Sequence, residues 1–229
     1  MASFTVGLDL GQGLDYSALT IVERVMVLPP RVSIGTFYRQ PAEVGAAMRE
    51  ELHVRHLRRW ELGTPYPSIV ADVTTLMRTP QMREGGMLFV DSTGVGRAVM
   101  DMFYGAYREE RFGCYPPAPV TITAGRERNG WNVPKMDLLA AVQAPLQLGT
   151  LKIAGDMALG PTLEKELTSF RQTISQSGRE SYDVQRRAGE GHGDLVIALA
   201  LALFQKNTVR RPDVVENNDS LGKETPWMQ

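Results

Sequence analysis

The chain has 229 residues, of which 43% are hydrophobic and 22% charged, a composition typical of a globular protein with a substantial core. Its 25 basic and 26 acidic residues give a net charge of −1, which excludes nucleic-acid binding by the surface as a whole and leaves only a local patch. The single cysteine, Cys114, excludes an intrachain disulfide and a cysteine-based zinc site. No secretory signal is expected, and no apolar run approaches the roughly 20 residues of a membrane span.

The first predicted elements form a β-hairpin. Apolar residues alternate over residues 4–10, which predicts a strand, and residues 17–28 form a second run rich in Val, Ile and Thr. The glycine turn at residues 11–13 joins the two strands. Asp9 is unexpected in the first strand, because aspartate is a poor strand residue and its carboxylate is costly near a core unless it is paired or bound to a cation.

Strands and helices follow along the rest of the chain. Strands are predicted at residues 31–39, 52–60, 87–90, 119–122 and 151–153, and helices at residues 67–77, 97–107, 133–148, 159–170 and 194–205. Antiparallel strands followed by strands that alternate with helices predict an α/β fold with a mixed central sheet and helices on both faces. We expect residues 1–206 to form one domain and residues 207–229 a polar, flexible tail.

Asp91 lies where a short buried strand ends and a glycine-rich turn begins. Open α/β sheets bind ligands at such carboxyl ends, although an aspartate can also open a turn there through its own side chain. The turn Thr93-Gly94-Val95-Gly96 lacks the third glycine of a dinucleotide site, and the chain has no Walker-type phosphate loop. The pattern therefore does not favour nucleotide binding.

Asp194 follows Gly191-His192-Gly193 and begins the most hydrophobic helix. An aspartate at this place is ordinarily a helix cap, and Asp15, which follows a glycine turn, likewise suits a turn. Taken together, however, Asp9, Asp91 and Asp194 can converge on one cleft, where they would repel one another unless divalent cations neutralise them. Oxygen ligands select Mg²⁺ or Mn²⁺, and two such ions about 4 Å apart can promote phosphodiester hydrolysis.

The sequence resembles the RNase H-like nuclease domain of phage large terminase subunits over most of its length. The segments that carry the resemblance are GLDLGQGLDYSALTIVE, LGTPYPSIVADV, LFVDSTGVGRAVMDM, LEKELTSF and GHGDLVIALALA. The resemblance implies a two-metal-ion endonuclease that cuts concatemeric viral double-stranded DNA during genome packaging. It assigns the catalytic and metal-binding positions to Asp9, Asp91 and Asp194, with two Mg²⁺ or Mn²⁺ ions per site.

One position departs from the family pattern. Terminase nucleases commonly carry two adjacent aspartates after the histidine, whereas this chain has Gly193 before Asp194. We therefore expect water or His192 to complete the second metal site.

The resemblance also implies partners. These are the terminase ATPase domain, the small terminase subunit and the portal, in the cytoplasm of an infected host cell and without a membrane. Because this chain has no phosphate loop, we expect an excised or separately encoded nuclease domain. Basic side chains near the carboxylates are expected to contact DNA phosphates, although each could equally be a solvated surface charge. The candidates are Arg126, Arg128, Lys135, Arg179, Arg186 and Arg187.

Three other interpretations remain open on the sequence alone. A Holliday-junction resolvase or another RNase H-like nuclease would use the same carboxylates. An actin-like or heat-shock-type ATPase shares the Asp-Leu-Gly-x-Gly pattern, but it requires two lobes and a second phosphate hairpin. A non-catalytic packaging module would bind only DNA or a portal partner. Cleavage of plasmid DNA with Mg²⁺ or Mn²⁺ and without ATP would separate a nuclease from the last two.

Overall fold

The computed structural model describes residues 3–13, 15–40, 44–45, 47–113, 115–176, 193–204 and 213–215. Within these ranges the strands are β1 (Ser3–Asp9), β2 (Ala18–Val27), β3 (Arg49–Arg59), β4 (Met87–Asp91), β5 (Ala118–Thr123), β6 (Asn132–Pro134), β7 (Leu151–Ile153) and β8 (Asp213–Val215). The helices are α1 (Ile34–Arg39), α2 (Tyr66–Met77), α3 (Pro80–Arg83), α4 (Gly96–Arg108), α5 (Lys135–Gln147), α6 (Gly160–Gln176) and α7 (Asp194–Leu203).

The strands form one mixed sheet, as the sequence predicts. Its order is β6-β5-β4-β1-β2-β3-β7, and β8 pairs with β2. The pairs β1–β2 and β2–β3 are antiparallel, whereas β1–β4, β4–β5 and β5–β6 are parallel. The predicted hairpin is therefore confirmed. The strands β4, β5 and β6 lie in parallel on the side of β1 away from β2, and on the other side β7 pairs in parallel with β3 and β8 with β2.

Helices cover both faces of this sheet, which confirms the second part of the predicted fold class. On one face α5, α6 and α7 bury Val22, Phe89 and Val120. On the other face α2 and α4 bury Leu8 and Leu88. Because Leu88 and Phe89 are neighbours on β4 and point to opposite faces, β4 is buried on both sides. None of the described helices is long and apolar enough to cross a membrane.

The structure corrects the sequence prediction in two places. The sequence predicts a strand at residues 31–39, but Ile34–Arg39 is a helix, because Ser33 caps it by accepting the backbone N–H of Thr36 at 3.2 Å. The helix predicted over residues 133–148 begins only at Lys135. The three residues before it form β6, which pairs with β5.

A short strand lies within the predicted C-terminal tail. The pairing of β1 with β2 begins at Ser3, opposite Arg24, and β8 pairs with residues Val25–Val27 beyond that point. The strand β8 therefore pairs with the part of β2 that extends beyond β1, on the same side of β2 as β1. The rest of the predicted tail lies outside the described residues.

Candidate active site at the carboxyl edge of the sheet

Two of the predicted carboxylates lie side by side at the ends of adjacent parallel strands. Leu8 of β1 pairs with Val90 of β4, and Asp9 and Asp91 are the next residues along. Both aspartates are half-buried. The backbone N–H of Thr93 donates to Asp91 Oδ1 at 2.8 Å, so Asp91 opens the following turn, in agreement with one of its two interpretations. A carboxylate has two oxygens, and this turn does not exclude a second role.

Asp194 reaches the same edge because α7 packs unusually close to β1. A Cβ atom on Gly7 would lie 1.9 Å from the carbonyl oxygen of Ala198, so only glycine permits this approach. Asp194 is the first residue of α7 and is 4% exposed. The preceding Gly193 has φ 85°, a left-handed conformation that favours glycine. This backbone turn directs α7 into the core with its first residue at the sheet edge.

The electrostatics of Asp9 show that these acidic groups lie in one neighbourhood. Burial raises the pKa of Asp9 well above its usual range, and the negative charges of Asp91 and Asp194 raise the pKa further, followed by smaller effects of Asp15 and Glu166. Burial also raises the pKa of Asp91, against the opposing effect of its hydrogen bonds to Thr93. A carboxylate whose pKa is raised by neighbouring carboxylates is in an unfavourable negative field, which a bound cation would relieve.

A half-buried arginine lies beside Asp194. Arg59 Nη2 is 3.8 Å from Asp194 Oδ2 and forms a closer ion pair with Glu166 Oε1. Its guanidinium also stacks on the ring of Tyr16, with Cζ 4.9 Å from the ring centroid. Burial raises the pKa of Glu166 to about 7, while Arg59 lowers this pKa and Asp194 raises it. Arg59 is thus a cation placed among several carboxylates.

The donor chemistry of this edge fits a hard divalent cation. Asp9, Asp91 and Asp194 offer carboxylate oxygens, which Mg²⁺ and Mn²⁺ prefer. In the described part of the chain, however, no three His, Cys, Asp or Glu side chains are already arranged to hold a metal ion. Metal binding would thus require the carboxylates to move closer together around the ion. His192 lies outside the described residues.

The basic residues predicted to contact DNA fall into two groups. Arg126 and Arg128 are exposed in the loop after β5, a strand that runs parallel to β4 and ends at the same edge as Asp91. Arg128 Nε donates to the carbonyl oxygen of Gly130 at 3.2 Å. Lys135 is half-buried at the start of α5. The other three candidates, Arg179, Arg186 and Arg187, lie outside the described residues.

Sequence reasoning missed three charged residues of this edge. The sequence pattern around Asp15 indicates a turn residue, yet the charge of Asp15 raises the pKa of Asp9. Arg59 and Glu166 are 107 positions apart in the sequence, and no local pattern joins them. The only sequence signal for Glu166 is its position within the segment LEKELTSF, on an amphipathic helix. In the folded protein this charged residue is only 7% exposed.

Comparisons with known proteins found similar solved structures but no matching sequence. No protein-family model matches the sequence, and no curated protein matches it either. The crystal structure of the large terminase nuclease from thermophilic phage G20c is similar, with 17% identity and a TM-score of 0.46 over 89% of this chain and 82% of that one. The human cytomegalovirus terminase nuclease domain, soaked with Mn, is similar with 10% identity and a TM-score of 0.49 over 90% of this chain and 85% of that one. Likenesses at this level assign no chemistry to individual residues.

Proposed function

We propose that this chain is a divalent-metal-dependent endonuclease of the terminase large-subunit type, which cuts concatemeric viral double-stranded DNA during genome packaging. The observation that supports this most directly is the neighbourhood of Asp9, where the charges of Asp91 and Asp194 add to burial in raising the pKa of the carboxyl group. A structural role would favour pairing such acids with cations, whereas a metal site requires them to face one another.

The roles of the three aspartates follow from their positions. The pKa of Asp9 is raised by the negative charges of both Asp91 and Asp194, and these three carboxylates would together hold the divalent cations through their oxygen atoms. When bound, Mg²⁺ or Mn²⁺ supplies an activated water and neutralises the charge that develops on the cleaved phosphate. The half-burial of Asp9 and Asp91 limits the access of bulk water, which strengthens their interaction with a cation.

The DNA would lie along the edge at which β1, β4 and β5 end. Arg126 and Arg128, which are exposed in the loop after β5, would contact its phosphates. In the packaging machine this nuclease would act together with a terminase ATPase domain, a small terminase subunit and a portal, in the cytoplasm of an infected host cell.

Cleavage of supercoiled plasmid by the purified protein tests the proposal. We expect nicked and linear products with Mn²⁺ or Mg²⁺, without ATP, and none when EDTA is present. A parallel reaction with a four-way junction separates this function from that of a resolvase, which would cut the junction symmetrically and leave the plasmid intact. Intact plasmid in both metals, at any protein concentration that binds DNA, would leave only a non-catalytic packaging role.

The DNA contact is tested by the double substitution Arg126→Ala, Arg128→Ala. We expect weaker binding to all DNA sequences alike and a shallower salt dependence, by about 0.9 in the logarithmic slope for each phosphate that the variant no longer neutralises. Arg83→Ala, Arg111→Ala is the matched control, because both arginines are exposed and precede β4 and β5 at the opposite edge. Identical salt slopes in the two double variants would exclude the loop after β5 from the DNA interface.

A further inference from the structure

The N-terminus of α7 is capped by a side chain from a different helix. Gly193 precedes α7 and makes no side-chain cap. The backbone N–H groups of Leu195 and Val196 instead donate to Glu166 Oε2, at 3.0 Å and 3.2 Å. Glu166 belongs to α6 and is 7% exposed. The capping role that an aspartate at the start of a helix usually takes is thus filled by Glu166, and the orientation of Asp194 depends on α6.

The second oxygen of Glu166 binds the arginine nearest to Asp194. Arg59 Nη2 forms an ion pair with Glu166 Oε1, and the same nitrogen lies 3.8 Å from Asp194 Oδ2. The Arg59 side chain is 14% exposed and is held from its other side by the ring of Tyr16. One guanidinium therefore lies between two carboxylates, and it is closer to that of Glu166.

We propose that Glu166 is a positioning residue for Asp194. It holds the first turn of α7 in place, and it keeps Arg59 away from the Asp194 carboxylate so that this carboxylate can bind a divalent cation. Arginine pairs strongly with carboxylates in poorly solvated sites, so an Arg59 released by Glu166 would move onto Asp194 and compete with the metal. This inference rests on the proposed metal-dependent function.

The substitution Glu166→Asp separates position from charge. Aspartate keeps the negative charge but is one methylene shorter, so it cannot reach both Arg59 and the two N–H groups. We expect the affinity for Mn²⁺, measured by calorimetry without DNA, to fall about 10- to 100-fold, as for other residues that orient metal ligands. Glu164→Asp is the matched control, since Glu164 is exposed two residues earlier on the same helix, and it should bind Mn²⁺ like the wild type. Unchanged Mn²⁺ affinity in Glu166→Asp would overturn the proposal.

A double-substitution cycle tests whether Arg59 is the competitor. Arg59→Met removes the charge but keeps an unbranched side chain. In this background, Glu166→Asp should change Mn²⁺ affinity much less than it does in the presence of Arg59. Residues that act through one another give such non-additive effects. An equal fold-change in both backgrounds would show that Arg59 plays no part, and the proposal in this form would be wrong.

A readout without metal distinguishes this inference from the proposed function. Amide hydrogen exchange of Leu195 and Val196 should be faster in Glu166→Asp than in Glu164→Asp, because the cap is shortened only in the former. A wild-type protein that neither binds Mn²⁺ nor cleaves DNA would refute the nuclease function. Unchanged exchange in Glu166→Asp, in a protein that does bind Mn²⁺, would refute the role of Glu166 alone.

Discussion

Two regions of this sheet bury carboxylates, and they treat them in opposite ways. The first is the β3 charge cluster, which consists of Glu23, Arg49, Glu51, His53 and Arg55. Here each acid has a close basic partner: Arg49 Nη2 lies 2.7 Å from Glu51 Oε1, His53 Nε2 lies 2.8 Å from Glu51 Oε2, and Arg55 Nε lies 2.6 Å from Glu23 Oε2. This is the usual way in which a fold accommodates buried charge.

The second region is the carboxyl edge formed by Asp9, Asp91 and Asp194. After burial, the strongest influences on the pKa of Asp9 are the negative charges of Asp91 and Asp194. The nearby cation Arg59 pairs more closely with Glu166 than with Asp194. The two regions show that burial alone does not identify a functional acid. The sign of the neighbouring charges distinguishes the structural carboxylates of the β3 charge cluster from the acids that we propose as metal ligands.

The largest contrast is expected when the carboxylates of the edge are neutralised. Asp9→Asn, Asp91→Asn and Asp194→Asn should each abolish plasmid cleavage, because each removes a charged ligand while keeping the side-chain volume. Without metal, the free energy of unfolding of each variant should equal or exceed that of the wild type, since repulsion among the acids is relieved. Cleavage assays and urea denaturation in EDTA measure the two effects. A variant with near wild-type cleavage and normal metal binding would remove that residue from the site.

The opposite result is expected for the β3 charge cluster. Glu51→Ala removes the hydrogen-bond acceptor of His53 and should lower the free energy of unfolding by about 1–3 kcal/mol, with no effect on Mn²⁺ affinity. Glu61→Ala is the control. Glu61 is exposed just beyond the end of β3, so its loss should cost no more than about 0.5 kcal/mol. If Glu51→Ala left stability unchanged but weakened metal binding, the distinction between the two regions would fail.

The same contrast shows what the sequence could predict. Asp9 and Asp91 were identifiable because period-two patterns and a glycine turn locate the ends of strands, and adjacent strand ends share an edge. Arg59 and Glu166 could not be found this way, because their contact joins a strand to a helix 107 residues later. The helix at Ile34–Arg39 was missed for a local reason, since the capping hydroxyl of Ser33 outweighed a sequence rich in strand-forming residues.

The β3 charge cluster should also reveal itself through pH. Burial, and to a smaller extent Arg55, lowers the pKa of His53 below 6.5, against the opposing effects of Glu51 and Glu23. The unfolded chain therefore binds a proton at a higher pH than the folded protein. The contribution of His53 to stability is complete above pH 6.5 and is lost as the pH falls below it. The total loss is about 1.4 kcal/mol for each unit by which folding lowers the pKa of His53.

Urea denaturation between about pH 7.5 and about pH 5.5 measures this loss in the wild type and in His53→Gln. We expect the free energy of unfolding of the variant to change less over this range, whatever its absolute value. Parallel curves for the two proteins would mean that His53 titrates alike in the folded and unfolded states, and the cluster would then be less strongly buried than its geometry indicates.

The smallest predicted effect concerns Gly193, the position at which this sequence departs from the terminase nuclease pattern that it resembles. With one carboxylate fewer, the second ion would be held more weakly, and we expect Mn²⁺ to support cleavage better than Mg²⁺, because it binds more tightly to incomplete sites and accepts imidazole more readily. Plasmid cleavage in each metal, at equal concentrations, measures this preference. Equal rates in the two metals would show that the missing aspartate has no consequence.

Gly193→Asp adds the missing charge directly beside Asp194. The backbone opposes it, because Gly193 has φ 85° and a side chain there costs about 1 kcal/mol, although aspartate and asparagine tolerate this conformation better than most residues. Gly193→Asn is the matched control, since it introduces the same strain and nearly the same volume without the charge. Relative to Gly193→Asn, we expect Gly193→Asp to bind Mn²⁺ more tightly, by less than about tenfold. The plasmid cleavage rates of Gly193→Asp in Mg²⁺ and in Mn²⁺ should also be more similar. Both variants should lose similar stability in EDTA, because strain is common to them. If calorimetry gave the two variants the same Mn²⁺ affinity, added charge at this position would not reach the metal, and the missing aspartate would have no consequence for metal binding.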